Sequence, residues 1–217
     1  MACAKIKKQK KEGEQNMFYM LTHNSEKYES SLEDGTNPIF ARETNLDEIV
    51  YKDIKKGWFR TIDMRQEKIE NWPNVEFYYD STESNLETEY LLNVANWPVI
   101  HIKVMKKFVE MGIKGLKFFP IKLIDTITGN LSSNYVFMYI ENFIEAYDME
   151  RSKYKYYEED DAYFFWPHAT YMNVEVCSQY DIFRCVKHKS VIYVSQRVKD
   201  AIEENHWDWF SFYKQRQ

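Results

Sequence analysis

The histidines of this chain do not occur at the spacings that metal sites require. No two of them stand four residues apart, so the pattern of a helical zinc site is absent; they are His23, His101, His168, His188 and His206. His101 lies within an apolar run and is more typical of a partnered structural histidine than of a ligand. The sequence therefore predicts no metal centre.

Possible nucleophiles are also present without their usual surroundings. Cys177 could be combined with His168 or His188 as nucleophile and base, but no neighbouring residue is placed to lower the pKa of its thiol, and a buried cysteine behaves as a small apolar residue. Ser195 has no Gly-x-Ser-x-Gly motif, and its place between a predicted strand and a predicted helix is typical of an N-cap. A chain with only 6 glycines also lacks a glycine-rich phosphate loop. We predict a protein that is not an enzyme and has no cofactor.

Residues suited to binding a partner, tyrosines and carboxylates, are concentrated in residues 153–161, KYKYYEEDD. Four adjacent carboxylates repel one another unless solvent, a cation or a basic partner compensates them, while tyrosines offer contact area at a low entropy cost. The spaced pattern of a calcium loop is missing. Two interpretations stay open: a solvated loop, or a partner-binding surface formed by Tyr156, Tyr157, Glu158, Glu159, Asp160 and Asp161.

Charge and composition narrow the class of partner and the compartment. Residues 1–16 contain five lysines and two glutamates, a net charge of +3, so the whole-chain value of −5 leaves −8 for residues 17–217. An acidic body is unsuited to nucleic acid and suits a basic protein partner, although many soluble proteins carry such a charge. The chain has no apolar run of signal-peptide or membrane-span length, and its 3 cysteines form no CxxC pair. We predict a cytoplasmic protein with no membrane partner and a disordered tail over residues 1–16.

A strand–helix–strand pattern occurs twice. The first copy comprises an apolar strand at 99–102, a helix through Val104 and Phe108, and a strand at 116–118. The second copy has the corresponding elements at 191–194, around Val198 and Ile202, and at 210–212. The helices and closing strands superpose with a shift of 94 residues and the leading strands with a shift of 92, which predicts two extra residues between strand and helix in the second copy.

Other elements complete an α+β prediction with mixed or antiparallel sheets and a few short helices. Further strands are predicted at 17–22, 75–79, 163–166, 173–177 and 181–186, and an antiparallel pair is predicted between 119–124 and 135–140. Helices are predicted at 45–51 and 83–92, and a short extended piece at 57–60. A chain that is 44% hydrophobic can bury a core. Because no linker interrupts residues 17–217, we predict one domain there, compatible with two subregions, 17–95 and 96–217.

Several of these segments together resemble a bacterial family of polymorphic-toxin immunity proteins, formerly a domain of unknown function. The resemblance covers roughly residues 97–213, and it is carried by segments 97–100, 112–121, 135–139, 146–152, 181–184 and 194–198. Residues 17–21 are compatible with the opening strand of that family.

The resemblance implies a protein that binds and neutralises a cognate toxin domain and that has no catalytic residues. The acidic body and residues 153–161 would then contact a basic toxin surface, such as that of a nuclease. Two other classes stay open: an intracellular adaptor or regulatory module, and a hydrolase whose site assembles only in the folded chain. The sequence does not indicate an oligomeric state.

Overall fold

Strands dominate the computed structural model, which describes residues 17–46 and 72–217. In chain order these strands are β1 (Phe18–His23), β2 (Phe40–Ala41), β3 (Glu43–Thr44), β4 (Glu76–Tyr79), β5 (Tyr90–Asn93), β6 (Val99–His101), β7 (Leu116–Pro120), β8 (Lys122–Asp125), β9 (Leu131–Ser132), β10 (Tyr135–Ile140), β11 (Phe143–Ile144), β12 (Tyr154–Tyr157), β13 (Ala162–Phe165), β14 (Ile182–Cys185), β15 (His188–Ser195) and β16 (Phe210–Lys214). The helices are α1 (Ser25–Glu33), α2 (Ile102–Glu110), α3 (Val174–Cys177) and α4 (Gln196–Glu204). The predicted α+β class is confirmed.

Two five-stranded sheets repeat the same arrangement. The first sheet has the order β2-β5-β6-β10-β7 and the second has the order β11-β14-β15-β1-β16. In each sheet the first pair is parallel and the other three pairs are antiparallel. The two sheets therefore form an internal structural repeat in which β10 and β1, each the fourth strand of its sheet, correspond to each other.

The repeat extends to the register of the paired residues. In the first sheet Val136 lies opposite Ile100 on one side and Pro120 on the other. In the second sheet Tyr19 lies opposite Val194 and Lys214. Ile100 and Pro120 correspond to Val194 and Lys214 at one shift of 94 residues, whereas Val136 of β10 corresponds to Tyr19 of β1, which lies 117 residues closer to the N-terminus.

The two extra residues of the second copy lie before its leading strand, so their predicted position is wrong. Each leading strand runs directly into its helix, and His101 corresponds to Ser195 at the same shift of 94 residues. Asn93 corresponds to Cys185, which is a shift of 92 residues. The insertion therefore falls in the connection between β14 and β15. The prediction matches Val99-Ile100 with Val191-Ile192 because the residue types agree. The register of the strands instead matches Val99 with Tyr193 and Ile100 with Val194.

Hydrogen bonds at the two corresponding helix starts explain why the helices begin where they do. His101 Nδ1 accepts the backbone N–H of Lys103 at 3.1 Å, and Ser195 Oγ accepts that of Val198 at 3.4 Å. Each satisfies a backbone donor that has no partner within its own helix. The predictions of a partnered structural histidine and of a serine N-cap are confirmed.

One hydrophobic core contains both helices and one face of each five-stranded sheet. Its members include Val104 and Phe108 of α2 and Val198 and Ile202 of α4, all at most 1% exposed. Their spacing places them on one face of each helix. The prediction that these faces belong to the core is confirmed. The division at residues 95 and 96 stays a prediction, and β5 and β6 pair with each other across it.

The opposite faces of the two sheets are covered differently. The first sheet packs there against a four-stranded sheet, β3-β4-β8-β9, through a core that contains Leu91, Trp97 and Phe137. The second sheet forms its outer core with helix α3 and strand β13, through residues such as Cys177 and Phe165. The repeat is thus retained in the sheets and lost in the layers that cover them.

The helix predicted over residues 83–92 is wrong, because its second part is strand β5. Tyr90 pairs with Ile100 and Leu91 pairs with Val99. The side chain of Tyr90 lies in the shared core and that of Leu91 in the outer core of the first sheet. A strand buried on both faces carries consecutive apolar residues, which a periodicity search cannot distinguish from one face of a helix.

The strand predicted over residues 173–177 is also wrong. The backbone N–H of Cys177 donates to the carbonyl of Asn173 at 2.9 Å, which closes a helical turn. Asn173 caps the helix, since its Oδ1 accepts the backbone N–H of Val176. A helix of 4 residues is too short to show a helical period in the sequence.

The antiparallel pair predicted between residues 119–124 and 135–140 is correct only for its first residues. Phe119 pairs with Phe137 within β7 and β10, but Leu123 pairs with Phe77 and Ser132 in the four-stranded sheet. The chain passes from one sheet to the other between β7 and β8.

Other sequence predictions are confirmed or lie outside the described residues. The strands predicted at 17–22, 75–79, 163–166 and 181–186 correspond to β1, β4, β13 and β14. The tail 1–16, the extended piece 57–60 and nearly all of the helix 45–51 lie outside the described residues. Within residues 17–46 and 72–217, no helix combines the length and apolar character needed to cross a membrane.

We expect Phe108→Ala to lower the free energy of unfolding by about 3–5 kcal/mol, because it leaves a cavity in the shared core. Its neighbour Val109 is 63% exposed, so Val109→Ala is a matched control that should change stability by less than ~0.5 kcal/mol. Urea denaturation followed by circular dichroism measures both. Equal stability losses would show that the assignment of helix faces is incorrect.

Candidate protein-binding site

Strands β12 and β13 form a separate two-stranded hairpin next to the second sheet. Residues 154–166, which we call the aromatic hairpin, comprise these strands, the 3-10 turn Glu158–Asp160, Asp161 and Trp166. The hairpin therefore brings together all six residues selected from the sequence, which are Tyr156, Tyr157, Glu158, Glu159, Asp160 and Asp161. Their role in binding stays a prediction.

One face of the aromatic hairpin anchors it to the protein. Phe165 is 7% exposed and belongs to the outer core of the second sheet, and the Tyr163 ring lies 6.0 Å from it. Tyr163 in turn packs 4.8 Å from the ring of Tyr156, its cross-strand partner. These contacts limit the freedom of the hairpin before any partner binds.

The opposite face of the aromatic hairpin is exposed. Phe164 is 52% exposed and Trp166 is 45% exposed, and their rings meet edge-to-face at 5.2 Å. The Lys155 ammonium lies 4.5 Å from the centre of the Tyr157 ring. Of the 12 exposed large hydrophobic side chains in the described part of the chain, five belong to this hairpin: Tyr154, Tyr156, Tyr157, Phe164 and Trp166. Such a concentration of exposed aromatic residues is typical of a protein-binding surface.

The tip of the hairpin is acidic. Glu158 and Glu159 are exposed, and neither forms an ion pair with another described residue. Asp161 has a backbone φ of 47°, and its carboxylate accepts a hydrogen bond from the Tyr156 hydroxyl at 2.9 Å. That hydrogen bond raises the pKa of Tyr156 above its ordinary value. Glu158 and Glu159 are therefore available to a basic partner, and Asp161 helps to hold the turn.

Sequence reasoning did not select Phe164 and Trp166. The selection followed the run of carboxylates and stopped at Asp161, whereas the exposed aromatic face continues into the second strand. The alternation of Phe164, Phe165 and Trp166 could have indicated the pattern, because alternate residues of a strand point to opposite faces. Which of the two faces is buried depends on the outer core of the second sheet.

The environment of Cys177, the possible nucleophile, is that of a buried core residue. This cysteine is fully buried, and its Sγ donates a hydrogen bond to the Ala146 carbonyl at 3.4 Å. Burial raises the pKa of the Cys177 thiol to about 12, so the reactive thiolate is strongly disfavoured at neutral pH. Over residues 17–46 and 72–217, no group of three or more His, Cys, Asp or Glu side chains is placed to hold a metal ion.

A cavity of about 510 Å³, which we call the outer pocket, lies beside the aromatic hairpin on the same side of the second sheet. The Tyr147 hydroxyl in its lining hydrogen-bonds to His188 Nδ1 at 2.9 Å and also to the Tyr193 hydroxyl. Burial lowers the pKa of His188 and thus favours its neutral form. The exposed Lys214 and Arg216 also line the pocket.

His23 is a further titratable residue in a constrained environment. Its Nε2 is buried and has no hydrogen-bond partner among the described residues, while its ring contacts Tyr28, Tyr90 and Trp209. Burial lowers the pKa of His23 to about 4. The structure therefore favours a neutral imidazole that contributes to packing.

Comparison with known proteins identifies the class to which this fold and surface belong. The chain matches the immunity protein family (Imm11) over residues 17–217, which is nearly its whole length. The protein therefore belongs to the Imm11 immunity family, and the resemblance found in the sequence is confirmed. A search of curated proteins found no match to the chain.

We expect the stability of the protein to fall as the pH decreases from 6.5 towards 4, in part because of His23. In this interval the unfolded state, whose histidine pKa is near 6.5, binds more protons than the native state does. His23→Phe should remove this contribution of about 1–2 kcal/mol, which is reduced by partial solvent exposure of the ring. Urea midpoints at pH 7.0 and 4.5 measure the difference.

The control for this prediction is His168→Gln, which removes an exposed histidine. It should leave the pH dependence of stability close to that of the parent protein. If His23→Phe and the parent lose stability equally between pH 7.0 and 4.5, the assigned role of His23 is wrong.

Proposed function

We propose that this protein is a non-catalytic cytoplasmic immunity protein that binds a cognate bacterial toxin domain and keeps it inactive. Membership of the Imm11 family supports the immunity role. The observation that carries the mode of action is the aromatic hairpin, an exposed aromatic face joined to an acidic tip. In this proposal the toxin is the partner, and neither nucleic acid nor membrane is bound.

Aromatic anchors supply most of the affinity in the proposed complex. Tyr157, Phe164 and Trp166 expose ring surface that a partner would remove from water, at roughly 25 cal/mol per Å² of apolar area. Large aromatic side chains of this kind often carry most of the energy of an interface. Because Phe165 anchors the hairpin beforehand, little conformational freedom would be lost on binding.

The acidic tip supplies selectivity for a basic toxin surface. Opposite charges increase the rate of encounter and disfavour partners of the wrong sign. Glu158 and Glu159 are not engaged in ion pairs with other described residues, so little intramolecular contact has to be broken. Free toxin is harmful to the cell, so slow dissociation matters most, and in related complexes this depends mainly on packed contacts.

The two alternative functions, an adaptor or regulatory module and a hydrolase, require different features of this structure. An adaptor or regulatory module would use an exposed surface as an immunity protein does, so toxin binding itself has to distinguish them. A hydrolase requires an activated nucleophile, whereas the raised pKa and the burial of Cys177 disfavour that role for the strongest cysteine candidate.

The cognate toxin domain is to be sought in the gene next to this one. We expect cells that produce that domain to survive when this protein is co-expressed, and the two proteins to purify as a complex. Phe164→Ala/Trp166→Ala should abolish protection and weaken binding by roughly 100-fold, because it removes the exposed aromatic anchors. Colony counts and isothermal titration calorimetry measure these effects.

The matched control is Ile127→Ala/Leu131→Ala, which removes two equally exposed apolar residues (56% and 53%) close to and within the four-stranded sheet. This variant should protect fully. Killing by the toxin despite the parent protein, with no complex formed, would reject the immunity function. Full protection by the hairpin variant would reject only the proposed surface.

Charge reversal tests the acidic tip separately. We expect Glu158→Lys/Glu159→Lys to weaken toxin binding about tenfold at low ionic strength and to reduce its salt dependence. The control Glu29→Lys/Glu33→Lys makes the same change in charge at exposed positions of α1. Calorimetry at two salt concentrations is the measurement, and equal effects of the two variants would return the tip to the solvated-loop interpretation.

A further inference from the structure

The outer face of the first sheet contains a well-defined site for an indole ring. The Trp72 ring stacks on Phe119 at 4.5 Å and on Phe137 at 5.5 Å, with interplanar angles of 18° and 9°. It also lies 6.1 Å from the ring of Trp97, and its Nε1–H donates to the Pro120 carbonyl at 2.7 Å. Four contacts therefore define this indole site.

The four corresponding positions of the second sheet all line the outer pocket. At the shift of 94 residues, Phe119 and Pro120 correspond to Tyr213 and Lys214. The register also makes Met20 the counterpart of Phe137, and the same shift of 94 residues, continued two residues before Val99 and Tyr193, makes Val191 the counterpart of Trp97. These counterparts, Tyr213, Lys214, Val191 and Met20, are all part of the pocket lining. The outer pocket is thus the structural equivalent of the site that Trp72 fills in the first half.

The hydrogen-bond acceptor of the indole site also has a counterpart. Strand β16 is an edge strand, and the Gln215 N–H donates to the Phe18 carbonyl at 2.9 Å. Backbone groups of successive residues in an antiparallel strand point to opposite sides. The Lys214 carbonyl therefore points away from β1, towards the edge, as the Pro120 carbonyl does where it accepts the Trp72 N–H.

The charged residues of the outer pocket indicate which chemical group would lie next to an aromatic ring bound there. Among the described residues, the lining contains two cationic residues, Lys214 and Arg216, and no Asp or Glu. An aromatic side chain next to a carboxylate would match both the stacking surface and these cations. The pocket also shares Phe165 with the aromatic hairpin, so one partner can reach both.

We propose that the outer pocket receives a tryptophan side chain of the toxin, one with an acidic neighbour in its sequence. This inference rests on the proposed function and adds a second contact to it. The incoming ring stacks on Tyr213 and Met20 and donates its N–H to the Lys214 carbonyl, as Trp72 does in the first half. The aromatic hairpin and the outer pocket then form one continuous binding surface.

The pocket can be tested on the free protein with a dipeptide probe. In protein labelled with ¹³C at the methionine methyl groups, acetyl-Trp-Glu-amide should shift the Met20 methyl resonance upfield in a saturable manner, because the methyl lies over the bound ring. The resonance of Met138, which is fully buried in the shared core, should not move. Acetyl-Leu-Glu-amide is the matched probe and should leave Met20 unchanged.

A pair of variants tests the stacking surface. Tyr213→Ala should weaken the tryptophan probe about fivefold, because an aromatic platform is removed. Tyr213 is 48% exposed, so the fold should persist, and Leu131→Ala removes a similarly exposed side chain (53%) outside the pocket as the control. No shift at Met20, or equal shifts with both probes, would overturn the proposal.

The toxin complex separates this inference from the proposed function. In the complex, the Met20 methyl should show the same upfield shift, and Tyr213→Ala should weaken toxin binding at least fivefold. A complex that forms with Met20 unshifted and with unchanged affinity for Tyr213→Ala overturns the pocket assignment while the immunity function stands. Absence of a complex with the parent protein rejects the proposed function itself.

Discussion

The shared core of helices α2 and α4 with two sheets of identical register is the interaction on which the rest of the structure depends. Both helices begin directly after a strand, at the caps formed by His101 and Ser195. This constraint sets the phase of each helix relative to its sheet, so Val104 and Val198 enter the core at corresponding positions. A shift of one residue in either strand would exchange its buried and outer faces.

The same repeat explains where the two halves differ. The two repeated sheets present equivalent outer faces, and each has to be covered because a sheet with an apolar face is unstable in water. The first is closed by a four-stranded sheet and by Trp72, which stacks on Phe119 and Phe137. The second retains a cavity at the equivalent position and carries the aromatic hairpin beside it. The asymmetry of the covering layers thus places both candidate binding features on one side of the molecule.

The aromatic hairpin is a preformed surface. The hairpin is anchored through Phe165, and its outward rings already contact each other, so binding would require little rearrangement. The titratable groups are instead held in structural roles, as shown by the buried Cys177 and by His188 with its tyrosine partner. Membership of an immunity family and the chemistry of the surface therefore support the same kind of activity, which is recognition of another protein.

By itself, the sequence determined the features that depend on local pattern. The amphipathic helices, the strands β1 and β14, the Ser195 cap and the α+β class follow from periodicity and capping preferences, and so does the grouping of Tyr156 with the acidic residues. Tertiary structure decided the rest. Strand β5 was mistaken for a helix because burial on both faces removes the alternation that identifies a strand. Phe165 is buried in the outer core of the second sheet, and Phe164 and Trp166 are exposed because they point to the opposite face of the aromatic hairpin. The outer pocket, likewise, exists because β1 pairs with β15 and β16, which brings Met20 next to Tyr193 and Tyr213; no local pattern encodes such long-range contacts.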